Sequence, residues 1–167
     1  MPDEFADFPA DPSGEKFLRL RDLVVAAPDY DFYSTGLDEL ADLVEEGIHD
    51  AVPDKLSELM PGWLLSPRAH LLAEHAARQT GNAEAADRER YVARACLNGL
   101  FASGDGTRAQ PYRVTHVADE YDLLDALGKE AKSQRQIAGD DGVFDRIACG
   151  DGSEVWFDIS LGLKPAL

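Results

Sequence analysis

The loop Ser103-Gly104-Asp105-Gly106 divides the chain into two parts with different hydrophobic periodicity. Before this loop, apolar residues recur every three or four positions, which is typical of amphipathic helices. After it, they alternate every second position, which is typical of half-buried strands. The change predicts an α+β fold, in which N-terminal helical hairpins pack against a small C-terminal antiparallel sheet that carries one helix.

The helical part is predicted to span residues 15–102. Gly47 and Gly81 each lie in a turn between two helices, 34 positions apart, and Ala51 and Ala85 follow them at the same offset. Small residues allow two helices to approach closely, and this period resembles that of tetratricopeptide-type repeats. We therefore expect two similar helical hairpins.

The C-terminal part, residues 103–167, is predicted to follow the order β-α-β-β-β and to form one compact unit with the helices. Its first strand is expected over residues 112–117. Asp119 is then expected to cap a helix that ends at Gly128. The last two strands form a hairpin closed by a turn at residues 150–152, whose sequence is Gly-Asp-Gly.

Residues 1–14 are predicted to form a flexible acidic leader, because they combine acidic side chains with Pro2, Pro9, Pro12 and Gly14. They lack the basic and apolar regions of an export signal. The two cysteines, Cys96 and Cys149, fall on apolar faces of a helix and a strand, and two lone buried thiols suit a reducing compartment. A cytoplasmic location is the expectation.

The net charge of −16 comes from 32 acidic and 16 basic side chains. Residues 1–60 hold 16 of the acids and four of the bases, a net of −12. Such a charge disfavours binding to nucleic acid or to an anionic membrane. It leaves two interpretations open, a docking face for a basic protein partner and a solvated surface that aids solubility or salt tolerance. The sequence does not predict the oligomeric state.

Several short motifs follow one another along the chain: Phe17-x-x-Leu20-Arg21, Tyr30-x-x-Tyr33, the Ser-Gly-Asp-Gly loop, Asp119-Glu120-Tyr121 and Trp156-Phe157-Asp158-Ile159. Their order resembles that in a bacterial domain-of-unknown-function family, which has tetratricopeptide-like helices followed by a small sheet. The resemblance covers the chain from Phe17 to Leu163. It implies this fold and draws attention to these positions, but it implies no activity.

The leading hypothesis for function is a non-catalytic protein-interaction module. The turn around Tyr30, Phe32 and Tyr33 is rich in aromatic residues within a polar segment, and exposed tyrosines there would suit recognition of a partner. An acidic inhibitor or immunity protein, which blocks a basic enzyme, is a related alternative.

A second alternative is a small hydrolase or metal-dependent enzyme that uses Asp105, His116, Glu120 and Tyr121. It requires these four side chains to converge in one pocket. If the protein is not an enzyme, Asp105 belongs to a connecting loop in which Gly104 or Gly106 has a positive φ. Glu120 then lies in the favourable field of a helix N-terminus.

No cofactor or metal ion is predicted. The chain has no P-loop, dinucleotide-binding loop, zinc knuckle or calcium-binding loop. His70 and His75 are five positions apart on one helix, about 140° around its axis, so they cannot both bind one ion.

Overall fold

The structure of the protein is a computed structural model that describes residues 3–163. Residues 1 and 2 of the predicted leader and residues 164–167 of the predicted sheet part lie outside the described residues. The helices are α1 (Asp3–Asp7), α2 (Gly14–Val25), α3 (Gly36–Glu45), α4 (Val52–Glu58), α5 (Pro67–Gln79), α6 (Ala83–Ala102) and α7 (Val117–Ala126), with 3-10 turns at Phe8–Ala10 and His49–Ala51. The strands are β1 (Tyr112–Arg113), β2 (Ala131–Gly139), β3 (Gly142–Cys149) and β4 (Glu154–Asp158). The predicted α+β class is confirmed.

Helices α5 and α6 form an antiparallel hairpin whose ends are set by polar caps. The Ser66 hydroxyl accepts a hydrogen bond from the first turn of α5, and the Asn82 amide oxygen does the same for α6. Gly81 makes the turn between them with φ +77°, and Gly47 ends α3 with φ +75°. The helix after Gly47 is short, however: α4 has 7 residues, whereas α6 has 20. The tetratricopeptide-like repeat therefore stays a prediction.

The four strands form one sheet in the order β1-β4-β3-β2. Strands β2, β3 and β4 are antiparallel neighbours, as predicted, but β1 pairs with β4 in parallel. The expectation of a purely antiparallel sheet is therefore wrong. The parallel pair arises because the chain leaves β1 through α7 and returns to the opposite edge of the sheet.

Strand β1 ends at Arg113, although the alternation of apolar residues extends the predicted strand to Val117. Side chains take over the backbone hydrogen bonds beyond this point. The carbonyl of Val114 accepts from Arg21, and that of Thr115 accepts from Tyr30. The main chain therefore has partners without a continuing strand, and it turns into α7.

The sequence predicts Asp119 as the N-cap of α7, but Asp119 is the third residue of that helix. The helix begins at Val117, and His116 is the N-cap. One carboxylate oxygen of Asp119 accepts hydrogen bonds from the backbone N–H groups of Thr115 and His116, both at 3.0 Å, and from the Thr115 hydroxyl at 2.6 Å. Asp119 thus holds the segment that precedes the helix.

The predicted flexible leader is packed against the body of the protein from Phe5 onward. Phe5 and Phe8 are buried in the main core. Gly99 on α6 provides the space, because a Cβ at that position would lie 2.5 Å from Phe17 Cδ2 and 2.9 Å from Phe8 Cζ. The prolines and acidic residues suggested a loose segment, but the two phenylalanines, three positions apart, contribute apolar surface to the core.

The hydrophobic core consists of two clusters. The main cluster lies between α2, α6, α7 and the sheet, and it contains both buried, free cysteines. The smaller cluster joins α3, α4 and α5 around Trp63. The aromatic turn after α2 lies where the two clusters meet, and this position defines the first candidate site.

Candidate functional site

The aromatic turn is only partly exposed, in contrast to the prediction. Tyr30 and Phe32 are buried, and 54% of Tyr33 is exposed. The Tyr30 hydroxyl donates to the Thr115 carbonyl, and the Phe32 carbonyl accepts a bond from the Val117 N–H. These bonds pull the turn inward because the segment before α7 offers polar backbone groups that need partners. Of the three aromatic residues, only Tyr33 is exposed.

His116 and Trp63 form a parallel ring stack at the edge of this turn. Their centroids are 3.9 Å apart, and their planes differ by 6°. Tyr30 contacts the imidazole of His116 at a centroid distance of 5.4 Å. The stack joins α7 to the segment after α4, and it holds His116 at a fixed position.

A cleft of about 450 Å³ opens over this stack, and we call it the aromatic cleft. Its walls come from the end of α2, the aromatic turn and the segment 58–63, with His116 from the N-terminus of α7. The charged side chains that line it are all acidic: Asp29, Asp31 and Glu58. The cleft therefore attracts cations and repels anions.

His116 is a neutral side chain in this environment at pH 7. It is 1% exposed, and burial lowers its pKa from the usual 6.5 to about 4, although the negative charge of Asp31 acts in the opposite direction. Its Nδ1 is buried and has no hydrogen-bond partner among the described residues. A buried imidazole nitrogen without a partner is costly, which makes it a position where a ligand atom would be stabilised.

A second polar cluster, the carboxyl pair, consists of Glu120 on α7 and Asp145 on β3. Glu120 is 0% exposed and Asp145 is 3% exposed. The side-chain amide of Gln134 on β2 donates to both, to Glu120 Oε2 at 3.1 Å and to Asp145 Oδ2 at 2.9 Å. The Tyr121 hydroxyl donates to the carbonyl oxygen of the same amide at 2.8 Å. The cluster connects α7 to two strands of the sheet.

The carboxyl pair holds a proton at neutral pH. Burial, followed by the charge of Asp145 and a hydrogen bond with it, raises the pKa of Glu120 from 4.5 to about 9. Two adjacent buried carboxylates repel each other, so one of them stays protonated. Glu120 Oε1 is buried without a partner among the described residues, and a hydrogen bond between the two carboxyl groups requires a proton on one of them.

Asp105 is exposed and takes part in neither cluster. Its carboxylate accepts from the backbone N–H of Thr107 at 2.9 Å and from the Thr107 hydroxyl at 2.7 Å. The adjacent Gly106 has φ +77°, as predicted for one of the two loop glycines. The Asp105 side chain therefore shapes the loop between α6 and β1.

The four residues of the enzyme alternative thus lie in three separate environments. Glu120 and Tyr121 share the Gln134 amide, His116 faces the aromatic cleft, and Asp105 bonds within its own loop. Neither Glu120 nor Asp145 lines the main clefts of residues 3–163. The four side chains therefore do not converge as this alternative requires.

A series of exposed acids lies on α3, the following turn and α4, which pack together, and we call it the acidic face. It comprises eight residues: Asp38, Glu39, Asp42, Glu45, Glu46, Asp50, Asp54 and Glu58. The four on α3 project from the side opposite to its buried Leu37 and Leu40, and Glu46 follows as the C-cap. Among the described residues, Lys55 is the basic side chain that forms ion pairs with this face, with Glu39 and, at 3.5 Å, with Glu58.

Both ring nitrogens of His70 have partners within the protein. Its ring nitrogens lie 2.8 Å from Glu89 Oε2 and 3.0 Å from the Leu64 carbonyl, within the protein interior. Within residues 3–163, no group of three or more His, Cys, Asp or Glu side chains is placed to hold a metal ion. No helix in the same range has the length and apolar character to cross a membrane.

Sequence reasoning missed three residues of these clusters: Trp63, Gln134 and Asp145. Asp145 could have been recognised from the sequence, because it alternates with Ile147 and Cys149 on the buried face of β3, where an acid is unusual. Trp63 lies in a turn, and Gln134 lies on a strand of polar residues. Neither stands out without knowledge of its distant partner.

Comparison of the chain with protein families, curated proteins and solved structures found no match. The resemblance to a bacterial family of unknown function therefore stays a prediction. Any functional proposal has to rest on the geometry of the chain itself.

Proposed function

We propose that this protein is a non-catalytic interaction module that binds a basic protein partner through the acidic face. The observation that carries the proposal is the collection of eight exposed acids on α3, the following turn and α4, with Lys55 as their ion-pair partner among the described residues. Unpaired surface charges of one sign attract a partner of the opposite sign and increase the rate of association.

The enzyme alternative finds less support in the same geometry. A general acid or base must reach the substrate within hydrogen-bond distance. Glu120 is fully buried, and its oxygens face Gln134 and Asp145. Asp105 and His116 are in other environments. An inhibitor of a basic enzyme would use the same acidic face, so it is one form of the proposed module.

Neutralising four acids on α3 is expected to weaken binding of a polylysine peptide at least about tenfold, since each lost surface charge interaction contributes about 0.5 kcal/mol. The variant combines Asp38→Asn, Asp42→Asn, Glu45→Gln and Glu46→Gln. Isothermal titration calorimetry at low ionic strength gives the affinities, and added sodium chloride should weaken the binding of the unchanged protein.

The matched control removes the same number of charges from exposed acids elsewhere: Glu15→Gln, Glu84→Gln, Asp125→Asn and Asp140→Asn. It is expected to change the affinity for polylysine less than about threefold, because these positions do not cluster. Equal losses of affinity in the two variants would show that polylysine responds to the net charge alone, and the proposal would then be wrong.

A further inference from the structure

We propose that the aromatic cleft binds the side chain of an arginine, which the basic partner of the acidic face presents. This inference rests on the proposed function and names the residue by which the partner is anchored. Three features of the cleft carry it: its acidic rim, the partnerless nitrogen of His116 and its aromatic wall.

The rim of the cleft supplies the charge complementarity. Asp29, Asp31 and Glu58 line it, and no basic side chain does. One oxygen of Asp31 accepts the Tyr33 N–H at 3.0 Å, and Glu58 shares Lys55 with Glu39. Asp29 is exposed and has no side-chain hydrogen bond or ion pair among residues 3–163. Carboxylate oxygens therefore remain free to accept from a cation.

His116 adds a buried polar position that a ligand can satisfy. It lines the cleft, it is 1% exposed, and its Nδ1 has no hydrogen-bond partner among residues 3–163. Burial keeps the imidazole neutral at pH 7. In the tautomer with the proton on the other nitrogen, Nδ1 accepts a hydrogen bond, and a donor-rich ligand supplies it.

The aromatic wall favours a guanidinium over an ammonium group. Trp63 and Tyr30 line the cleft, and both rings contact the imidazole. A guanidinium is planar, is less strongly hydrated than an ammonium, packs on aromatic rings and directs five N–H donors in its own plane. Its five donors therefore suit several acceptors, the rim carboxylates and the His116 nitrogen, better than the compact ammonium of lysine does.

The cleft is continuous with the acidic face. Glu58 belongs to both, and Lys55 connects it to Glu39 on α3. A basic segment that lies along α3 and α4 would therefore bring one of its side chains to the mouth of the cleft. The acidic face provides general attraction, and the cleft provides residue specificity.

The test uses N-acetyl-arginine amide as the probe and Trp63 fluorescence as the readout. The chain has two tryptophans, so a Trp156→Phe background makes Trp63 the single emitter. We expect a saturable change with the arginine probe. The corresponding lysine and citrulline amides should bind about tenfold more weakly or not at all, because lysine lacks the planar donors and citrulline lacks the charge.

Two variants locate the binding in the cleft. His116→Phe keeps a ring for the stack but removes the acceptor, and it is expected to weaken binding of the arginine probe about fivefold, the equivalent of one hydrogen bond. Asp29→Asn with Asp31→Asn alters exposed rim positions without disturbing the core, and it is expected to weaken binding about tenfold. The α3 variant with four neutralised acids is the control, and it should keep the affinity for the arginine probe within about threefold.

The outcomes separate the two proposals. Absence of saturable arginine binding, or equal affinity for arginine, lysine and citrulline, overturns the cleft proposal, whatever polylysine does. Unchanged arginine binding in the Asp29/Asp31 variant overturns it as well. If arginine binds in the cleft but polylysine does not distinguish the α3 variant from its control, the acidic-face proposal fails and the cleft remains a guanidinium site.

Discussion

Replacing Arg21 by methionine is expected to lower the free energy of unfolding by about 3–5 kcal/mol, the range observed when one partner of a buried charged interaction is removed. Arg21 is 2% exposed. Its Nε donates to the Val114 carbonyl at 2.8 Å, and its Nη2 donates to the Asp158 carbonyl at 3.3 Å. Methionine fills a similar volume but leaves both carbonyls without this donor at the point where α2 meets the sheet.

The charge of Arg21 makes the position more sensitive than a neutral donor would be. Burial lowers the pKa of Arg21, while the negative charge of Asp158 acts in the opposite direction. An arginine nevertheless stays protonated in proteins, so the side chain is a buried cation held by carbonyl dipoles and by Asp158. Hydrogen bonds to a charged group are stronger than neutral ones, and their loss is correspondingly larger.

Urea unfolding followed by circular dichroism measures the effect of Arg21→Met. Arg135→Met on the exposed strand β2 is the matched control, with an expected change of less than about 0.5 kcal/mol. Similar unfolding free energies for Arg21→Met and the unchanged protein would mean that the contacts of Arg21 with β1 and β4 do not stabilise the fold.

Local patterns in the sequence are sufficient to predict the fold class. The helical spacing before Ser103 and the alternation after Gly106 reflect which faces are buried, and this information is present in each segment alone. The β3–β4 hairpin is predicted for the same reason, since its turn at 150–152 has the residues that tight turns need. These features require no knowledge of distant contacts.

The errors arise where a distant segment supplies a partner. Strand β1 stops early because the carbonyl of Val114 accepts a hydrogen bond from Arg21, which is 93 positions away. Tyr30 is buried because its hydroxyl donates a hydrogen bond to the carbonyl of Thr115, which is 85 positions away. Hydrophobic periodicity carries no signal for such side-chain bonds to the backbone, so a polar segment with tyrosines suggested an exposed turn.

The sequence pointed to three of the candidate residues but not to their surroundings. His116 lies in the aromatic cleft, whereas Glu120 and Tyr121 contact the Gln134 amide. It did not indicate that Trp63 covers His116 or that Asp145 faces Glu120. A buried carboxyl pair forms only when a helix packs on a sheet in one particular register, and that register is a tertiary property.

Replacing Glu120 by glutamine is expected to stabilise the protein at alkaline pH by several kcal/mol relative to the unchanged chain. In the folded protein the pKa of Glu120 is about 9, whereas an unperturbed glutamate has a pKa of 4.5. Between these values the folded state retains a proton that the unfolded state releases. The stability contributed by Glu120 is therefore complete below pH 4.5 and decreases as the pH rises, by up to about 1.4 kcal/mol per pH unit.

Glutamine reproduces the protonated side chain without being able to lose the proton. Its amide N–H can donate to Asp145. Its carbonyl oxygen can accept from the Gln134 amide, which donates to Glu120 Oε2 in the unchanged protein. The variant should thus fold with the same contacts between α7 and the sheet. Its affinity for polylysine should be unchanged, because the acidic face lies on other elements.

The measurement is the difference in unfolding free energy between Glu120→Gln and the unchanged protein at pH 5, 7 and 9. Other groups that titrate in this range, such as Asp122 with a pKa of about 6, contribute to both proteins, so their effects largely cancel in the difference. Glu130→Gln is the control, since Glu130 is exposed beside Lys132 and its variant should show no such pH dependence. A difference that stays constant from pH 5 to pH 9 would mean that Glu120 is ionised in the folded protein. The shared proton of the carboxyl pair would then be excluded, and a carboxylate at this position would have to be stabilised by other contacts.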